Sequence, residues 1–173
     1  MKLLLSIHKY DVFMFTWLIN AKIHAQFTTI CRFLSKTGDG QLSVLIALIT
    51  YLSEGINSAF LQAIVLAFLI ERPTYFVLKN GFKRNRPEAA LKNFRSIITP
   101  SDKFSFPSGH TSAAFMMATL IAYFFPPLII PVYCWAAMVG FSRVVLGVHF
   151  PTDTLIGMVL GIGTAFLSLG QVL

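Results

Sequence analysis

Thirty-nine consecutive residues, Phe104 to Ser142, contain no aspartate, glutamate, lysine or arginine. A surface helix of a soluble protein needs a polar face, whereas a bilayer accepts about 20 apolar residues per helical crossing. Pro126-Pro127 and Pro131 interrupt the run, so it divides into two expected spans, 108–125 and 128–146. A second charge-free stretch, Thr154 to Leu173, is long enough for another crossing. Across all 173 residues the chain is 55% hydrophobic and 12% charged, with a mean hydropathy of +0.71. Globular chains run nearer 45–50% apolar and about 25% charged. The expected fold is therefore all-α: a polytopic membrane helix bundle forming one domain over 1–173, with room for about five or six crossings and none for a large soluble domain.

The first third divides less sharply. Met1 to Leu5 is a short apolar run followed by His8, Lys9 and Asp11 with no small-residue cleavage site, so no cleavable signal peptide is expected. Asp11 to Asn20, with Trp17, reads as an interfacial helix; residues 22–34, carrying Lys22, His24 and Arg32, read as an amphipathic first span. The turn Lys36-Thr-Gly-Asp-Gly40 breaks the chain. Two further spans follow, 41–53 and 55 to about 78, the latter passing through Glu71 and Arg72. These adjacent opposite charges neutralise one another and favour a structural role. Six spans and an N-terminal interfacial helix result. In the last span Gly157, Gly161 and Ala165 recur every four residues, a small-residue ridge suited to close packing within the bundle. Cys31 and Cys134 lie far apart in apolar stretches and imply neither a disulfide framework nor a metal site.

Charge is the second constraint. The chain carries 14 lysines and arginines against 7 aspartates and glutamates, a net of +7, and half of the basic residues fall within 79–103. Positive-inside topology accounts for some of such an excess. Nucleic acid is excluded as a partner, since no basic stripe with interleaved aromatics lies on a polar domain.

Three polar clusters sit at helix boundaries. In Lys79-Asn-Gly-Phe-Lys-Arg-Asn-Arg86-Pro87 the proline disfavours helix at Arg86, so the chain turns and both long cations can converge on one anion; taken alone, a solvated basic loop accounts for the cluster better. In Pro107-Ser108-Gly109-His110, Ser108 suits an N-cap and Gly109 permits close backbone approach. Free amides and the positive helix end then face any site there, and His110 can donate a proton. In Ser142-Arg143 followed by His149-Phe-Pro-Thr-Asp153, Pro151 suits a first helical turn and places His149 and Asp153 on one face. Asp153 can then hold one ring nitrogen of His149 and leave the other nucleophilic. Carboxylates are too few around this pair for a metal site.

Lys-x6-Arg-Pro, Pro-Ser-Gly-His and Ser-Arg-x5-His-x3-Asp, in this order, closely resemble the three signature motifs of the type 2 phosphatidic acid phosphatase superfamily, with every signature position matched between Lys79 and Asp153. The resemblance implies a membrane lipid phosphate phosphatase that needs no cofactor and no metal. Lys79, Arg86 and Arg143, helped by Ser108 and the amide of Gly109, would hold the phosphoryl oxygens. His149 would form a phosphohistidine, Asp153 would orient it, and His110 would protonate the leaving oxygen and then activate water. Fixed cations and a helix terminus suit a transition state whose charge is spread over equatorial oxygens. The related vanadate-dependent haloperoxidases share the clusters but are larger and soluble, unlike this chain.

A buried scaffold favours a lipid phosphate as partner, entering from the surrounding membrane lipids. Phosphatidylglycerol phosphate, phosphatidic acid and undecaprenyl diphosphate all qualify, and the sequence does not separate them or define an oligomeric state. A lipid phosphotransferase and a non-enzymatic lipid-phosphate binding or transport protein are the alternatives, the last disfavoured because binding alone requires neither nucleophile nor proton donor. The expected location is the bacterial inner membrane, with the site facing the periplasm or exterior as in bacterial relatives. Positive-inside counting points the other way, but it is weakened because Lys79, Arg86 and Arg143 would be the substrate's counter-charge.

Overall fold

A computed structural model describes residues 2–21, 24–100 and 102–173, with side chains described at 8–21, 27–100 and 102–173. Lys22 and His24, at the start of the first expected span, fall outside those side chains. The described residues form helices and connecting turns: α1 (Lys2–Ile19), α2 (His24–Thr37), α3 (Gln41–Glu54), α4 (Ala59–Phe82), α5 (Pro87–Ala90), α6 (Gly109–Phe124), α7 (Ile129–Val145) and α8 (Pro151–Val172), with a 3-10 turn at Pro126–Leu128.

Local chemistry sets most of these boundaries. Gly40 has φ 89° and Gly55 φ 77°, left-handed conformations that glycine adopts freely, and they bracket α3. Ser58 caps α4 by accepting a hydrogen bond from the Leu61 amide. Pro126 and Pro127 have no amide hydrogen to continue α6, so a 3-10 turn intervenes before α7.

Helix α6 is the hub. Its residues Thr111 to Leu120 are all buried, because α4, α7 and α8 surround it. Phe60, Ala63, Ile64 and Ala67 of α4 meet Met116, Met117 and Leu120 of α6 and Ala165 and Leu169 of α8 in one core. On another face Ala114, Phe115 and Ala118 pack against Ala136 and Val139 of α7. The expected small-residue ridge faces α6: a methyl group placed on Gly157 or Gly161 would lie 2.6 Å from the Ser108 carbonyl oxygen or 2.1 Å from that of Ser112. Only the missing side chains allow these helices to approach so closely. Phe15 of α1 joins Val144 and Phe150 in a smaller cluster. Large apolar side chains such as Leu69, Phe76, Val77, Ile130 and Val159 point outward, as an acyl-chain solvent allows.

Among the described residues, three stretches are long and apolar enough to cross a membrane: Ala59–Ala90, which contains α4, then Pro126–Val145 and Pro151–Val172. The ends of α2, α4 and α7 and the starts of α6 and α8 lie at one end of the bundle. The end of α4 and the start of α6 therefore converge with the α2–α3 and α7–α8 turns on one cavity. At the far end Phe60 of α4 stacks on Phe124 and Phe125 at the end of α6.

Candidate functional site

The cavity at the convergent end has a volume of about 880 Å³. Six of the eight sequence-predicted site residues line it: Lys79, Arg86, Gly109, His110, Arg143 and His149. Ser108 and Asp153 are fully buried behind the wall.

Helix α4 ends at Lys83, which adopts φ 46°, and the chain folds back so that the Ser105 amide donates to the Arg84 carbonyl at 2.9 Å. Arg86 is extended before Pro87 (φ −71°, ψ 160°), as a residue before proline prefers. This turn aims Lys79 and Arg86 at a single carboxylate. Lys79 Nζ donates to Asp102 Oδ2 at 2.8 Å, Tyr75 donates its hydroxyl hydrogen to the same oxygen at 2.8 Å, and Arg86 Nη2 donates to Asp102 Oδ1. Burial works against ionisation of Asp102, but the hydrogen bonds from Lys79 and Tyr75 and the charges of Lys79 and Arg86 outweigh it, holding the carboxyl at about 2.

The start of α6 forms the second wall. Ser108 is the N-cap residue, but its side chain makes no capping bond; its hydroxyl instead shares a hydrogen bond with Thr111 Oγ1 at 2.8 Å. Its amide donates to the Asp153 carbonyl at 2.9 Å, which ties α6 to α8. Gly109 lies against Tyr75, where a Cβ would come within 2.9 Å of the ring. His110 Nε2 lies 2.6 Å from Asp39 Oδ1 in the α2–α3 turn.

The third wall is the α7–α8 turn, made tight by Gly147 at φ 78°. Arg143 donates from Nη1 to Ser35 Oγ of α2, while its buried Nε has no hydrogen-bond partner among the described residues. His149 is buried with Nε2 3.4 Å from Arg86 Nη1. Its Nδ1 is 3.7 Å from Asp153 Oδ2, beyond hydrogen-bond range, so Asp153 acts on it here through charge. Burial, with Arg86 and Arg143 nearby, lowers His149 to about 4 against the pull of Asp153. The shift favours the neutral imidazole, whose Nε2 faces the Arg86 guanidinium.

Behind Asp153 stands a network that the motifs do not contain. Arg84 donates from Nη1 to Asp153 Oδ1 at 2.7 Å and to Thr152 Oγ1 at 2.8 Å, and from Nη2 to Asp11 Oδ2 of α1 at 2.6 Å. Asp11 also accepts the Thr152 amide at 3.0 Å. Asp11, Asp39, Tyr75, Arg84 and Asp102 escape motif reading, yet the composition holds a signal for the three acids among them. In a chain with 7 carboxylates, each acid carried near the membrane needs a partner. Among the described residues no three His, Cys, Asp or Glu side chains group as metal ligands.

The PAP2 superfamily model matches residues 42–173. Phosphatidylglycerophosphatase B of Bacillus subtilis is 37% identical over 117 residues, which cover 61% of this chain and 55% of that protein. The chain spans about half the length of the curated relatives it matches. Among solved structures, Aquifex aeolicus LpxE has a TM-score of 0.81 at 25% identity, with 92% of this chain and 94% of that one covered. The transmembrane PAP2 type phosphatidylglycerolphosphate phosphatase from Bacillus subtilis has a TM-score of 0.77 at 25% identity, with 96% and 86% covered. With three apolar stretches of spanning length and a transmembrane neighbour of the same fold, the chain is an integral membrane protein.

Proposed function

Because this chain belongs to the PAP2 superfamily, we propose that it is a membrane phosphatase that hydrolyses a phosphomonoester or diphosphate of a lipid through a phosphohistidine. The observation that carries the proposal is His149: a buried imidazole on the cavity wall, 3.4 Å from Arg86 and backed by the Asp153 carboxylate. A pocket built only to bind phosphate needs the cations and not this nucleophile.

In the proposed reaction Lys79, Arg86, Arg143 and the Gly109 amide hold the phosphoryl oxygens. His149 Nε2 forms a bond to phosphorus as the bond to the lipid oxygen breaks, and His110 gives that oxygen its proton. Asp153 offsets the positive charge that develops on His149. Water, deprotonated by His110, then attacks phosphorus, and inorganic phosphate leaves with His149 restored. Three cations around the equatorial oxygens supply the stabilisation that a metal provides elsewhere, so we assign no metal or cofactor. Ser108, turned toward Thr111, serves by fixing the start of α6.

The whole chain acts as one membrane domain in this proposal, with α2, α3 and α6 as further crossings and α1 at the interface. Helices of 14 and 16 residues reach only ~21–24 Å against a core of ~30 Å, and the polar cavity at their ends shortens the apolar distance to span. We place the protein in the bacterial inner membrane with the cavity facing outward; the clustered cations are assigned to substrate and so lose weight as topology signals. Purified protein in detergent with EDTA is expected to release inorganic phosphate from lipid phosphates, and His149→Gln is expected to lose that release. Full activity in a folded His149→Gln protein overturns the proposal.

A further inference from the structure

Glu71 and Arg72 interrupt the apolar run of α4 two turns before Lys79. Glu71 is fully buried and accepts the Ser112 hydroxyl of α6 at 2.6 Å and Arg72 Nη2 at 2.6 Å, with Arg72 Nε donating to its other oxygen. The bond to Ser112 ties α4 to α6. It does not account for Arg72, whose side chain is 47% exposed and lines the cavity. A guanidinium has five donor hydrogens, and the bonds to Glu71 leave Nη1 uncommitted. Its central carbon lies 4.9 Å from the Tyr75 ring centroid and Lys79 Nζ lies 4.6 Å from the same centroid. The two positive charges therefore stand within about 10 Å of each other along one wall.

The opposite wall, on α2, adds Arg32 and Lys36. The cavity lining carries six cationic side chains against the carboxylates of Asp39 and Asp102, with Glu71 behind Arg72 as a third, still more positive charge than a single phosphoryl group neutralises. Packing alone is met by Glu71 and Ser112, and an arginine half exposed within a membrane helix is costly without a further role.

We propose that Arg72, held by Glu71, is a second anion subsite that receives another phosphoryl group of a lipid whose reacting phosphoryl group lies between Lys79, Arg86 and Arg143. The substrate class is a lipid with two phosphoryl groups, joined directly as a diphosphate or through a bridging alcohol. The proposal rests on the phosphatase reading for the reacting group alone. Arg72 contributes a planar fork that a lysine does not reproduce.

Two measurements test it. In detergent, inorganic pyrophosphate should raise the thermal midpoint of the unmodified protein more than inorganic phosphate does, and Arg72→Gln should erase that difference; an unchanged difference overturns the proposal whether or not the protein is a phosphatase. In turnover, kcat/KM on prenyl diphosphate and on phosphatidylglycerol phosphate is compared with kcat/KM on phosphatidic acid. Arg72→Gln should lower the ratio for at least one two-phosphate lipid by about tenfold or more, chiefly through KM, and the lipid affected identifies the linkage. Equal losses on all three lipids indicate a purely structural arginine and overturn the proposal. Should the glutamine variant fail to fold, Arg72→Lys must lower the same ratio, and an unchanged ratio in it is equally decisive against the subsite.

Discussion

In the proposed reaction Asp102 competes with substrate oxygens, because it holds two of the cations assigned to them. Its carboxylate takes hydrogen bonds from Lys79, Tyr75 and Arg86, so a phosphoryl group must displace it from two of its proposed ligands. Asp102→Asn removes the charge while keeping the shape, and its backbone carbonyl still accepts Arg86 Nε, a bond of 3.0 Å in the native chain. Hydrogen bonds to charged groups contribute about 1.5–3 kcal/mol when shielded, and exposed ion pairs about 0–1 kcal/mol. The Asp102 side chain is 36% exposed, which points to about 1 kcal/mol for each cation. Releasing both yields about 2 kcal/mol, or roughly thirtyfold in affinity. The assay is competitive inhibition by inorganic phosphate at pH 7 and low salt, with the inhibition constant expected to fall roughly thirtyfold and kcat to stay level or drop as product leaves more slowly. Weaker phosphate inhibition in the folded variant refutes this reasoning, because the carboxylate would then be supporting the two cations and not competing for them.

Arg84→Gln breaks the link from Asp153 to Asp11 and should lower kcat by about ten- to a hundredfold through misplacement of the His149 support, with partial rescue by lysine; an unchanged kcat in folded protein contradicts that role. Gly161→Ala drives a methyl group into the Ser112 carbonyl and should destabilise the protein by about 1–3 kcal/mol or more, while Gly163→Ala, with nothing within 4 Å, should stabilise it by about 0.5–1 kcal/mol; equal thermal midpoints in detergent would show that α6 and α8 are farther apart. Because His149 is lowered from 6.5 to about 4, its phosphorylation in a single turnover should persist to pH 5 and fade only near pH 4, whereas half-loss near 6.5 places the imidazole in a more solvated setting. The same shift works against folding in acid: between pH 6.5 and 4 the unfolded chain binds a proton that the native imidazole does not, so stability falls across that window.

The long uncharged runs, the double proline and the Gly-Asp-Gly turn made α3, α4, α6, α7 and α8 legible, because bilayer length and backbone chemistry act locally, whereas the short α5 carried no such signal. The ridge at Gly157 and Gly161 likewise pointed to the close packing found against α6. Helix α1 was harder to read: Asp11 looked like a charge at the edge of an interfacial helix, yet it is buried against Arg84 and Thr152. That contact joins residues 73 and 141 positions apart, and no local pattern encodes such a pairing. The cationic ligands and histidines stood out as motifs because the family chemistry constrains their spacing. Their carboxylate partners did not, since Asp39 and Asp102 reach His110 and Lys79 from separate turns. Ser108 illustrates a limit of residue-type reasoning: its position at the helix start was evident, whereas the direction of its hydroxyl was decided by Thr111 one turn later.

The covalent step is the most direct test. Protein incubated briefly with a lipid phosphate carrying a radiolabelled phosphoryl group, then quenched under alkaline conditions that preserve phosphohistidine, should carry label on His149. The label should build up in His110→Gln if departure of the lipid outpaces the loss of water activation, and it should be absent from His149→Gln. Phosphate release by the unmodified protein with no label trapped at His149, or label and release that survive in a folded His149→Gln protein, would contradict a nucleophilic His149.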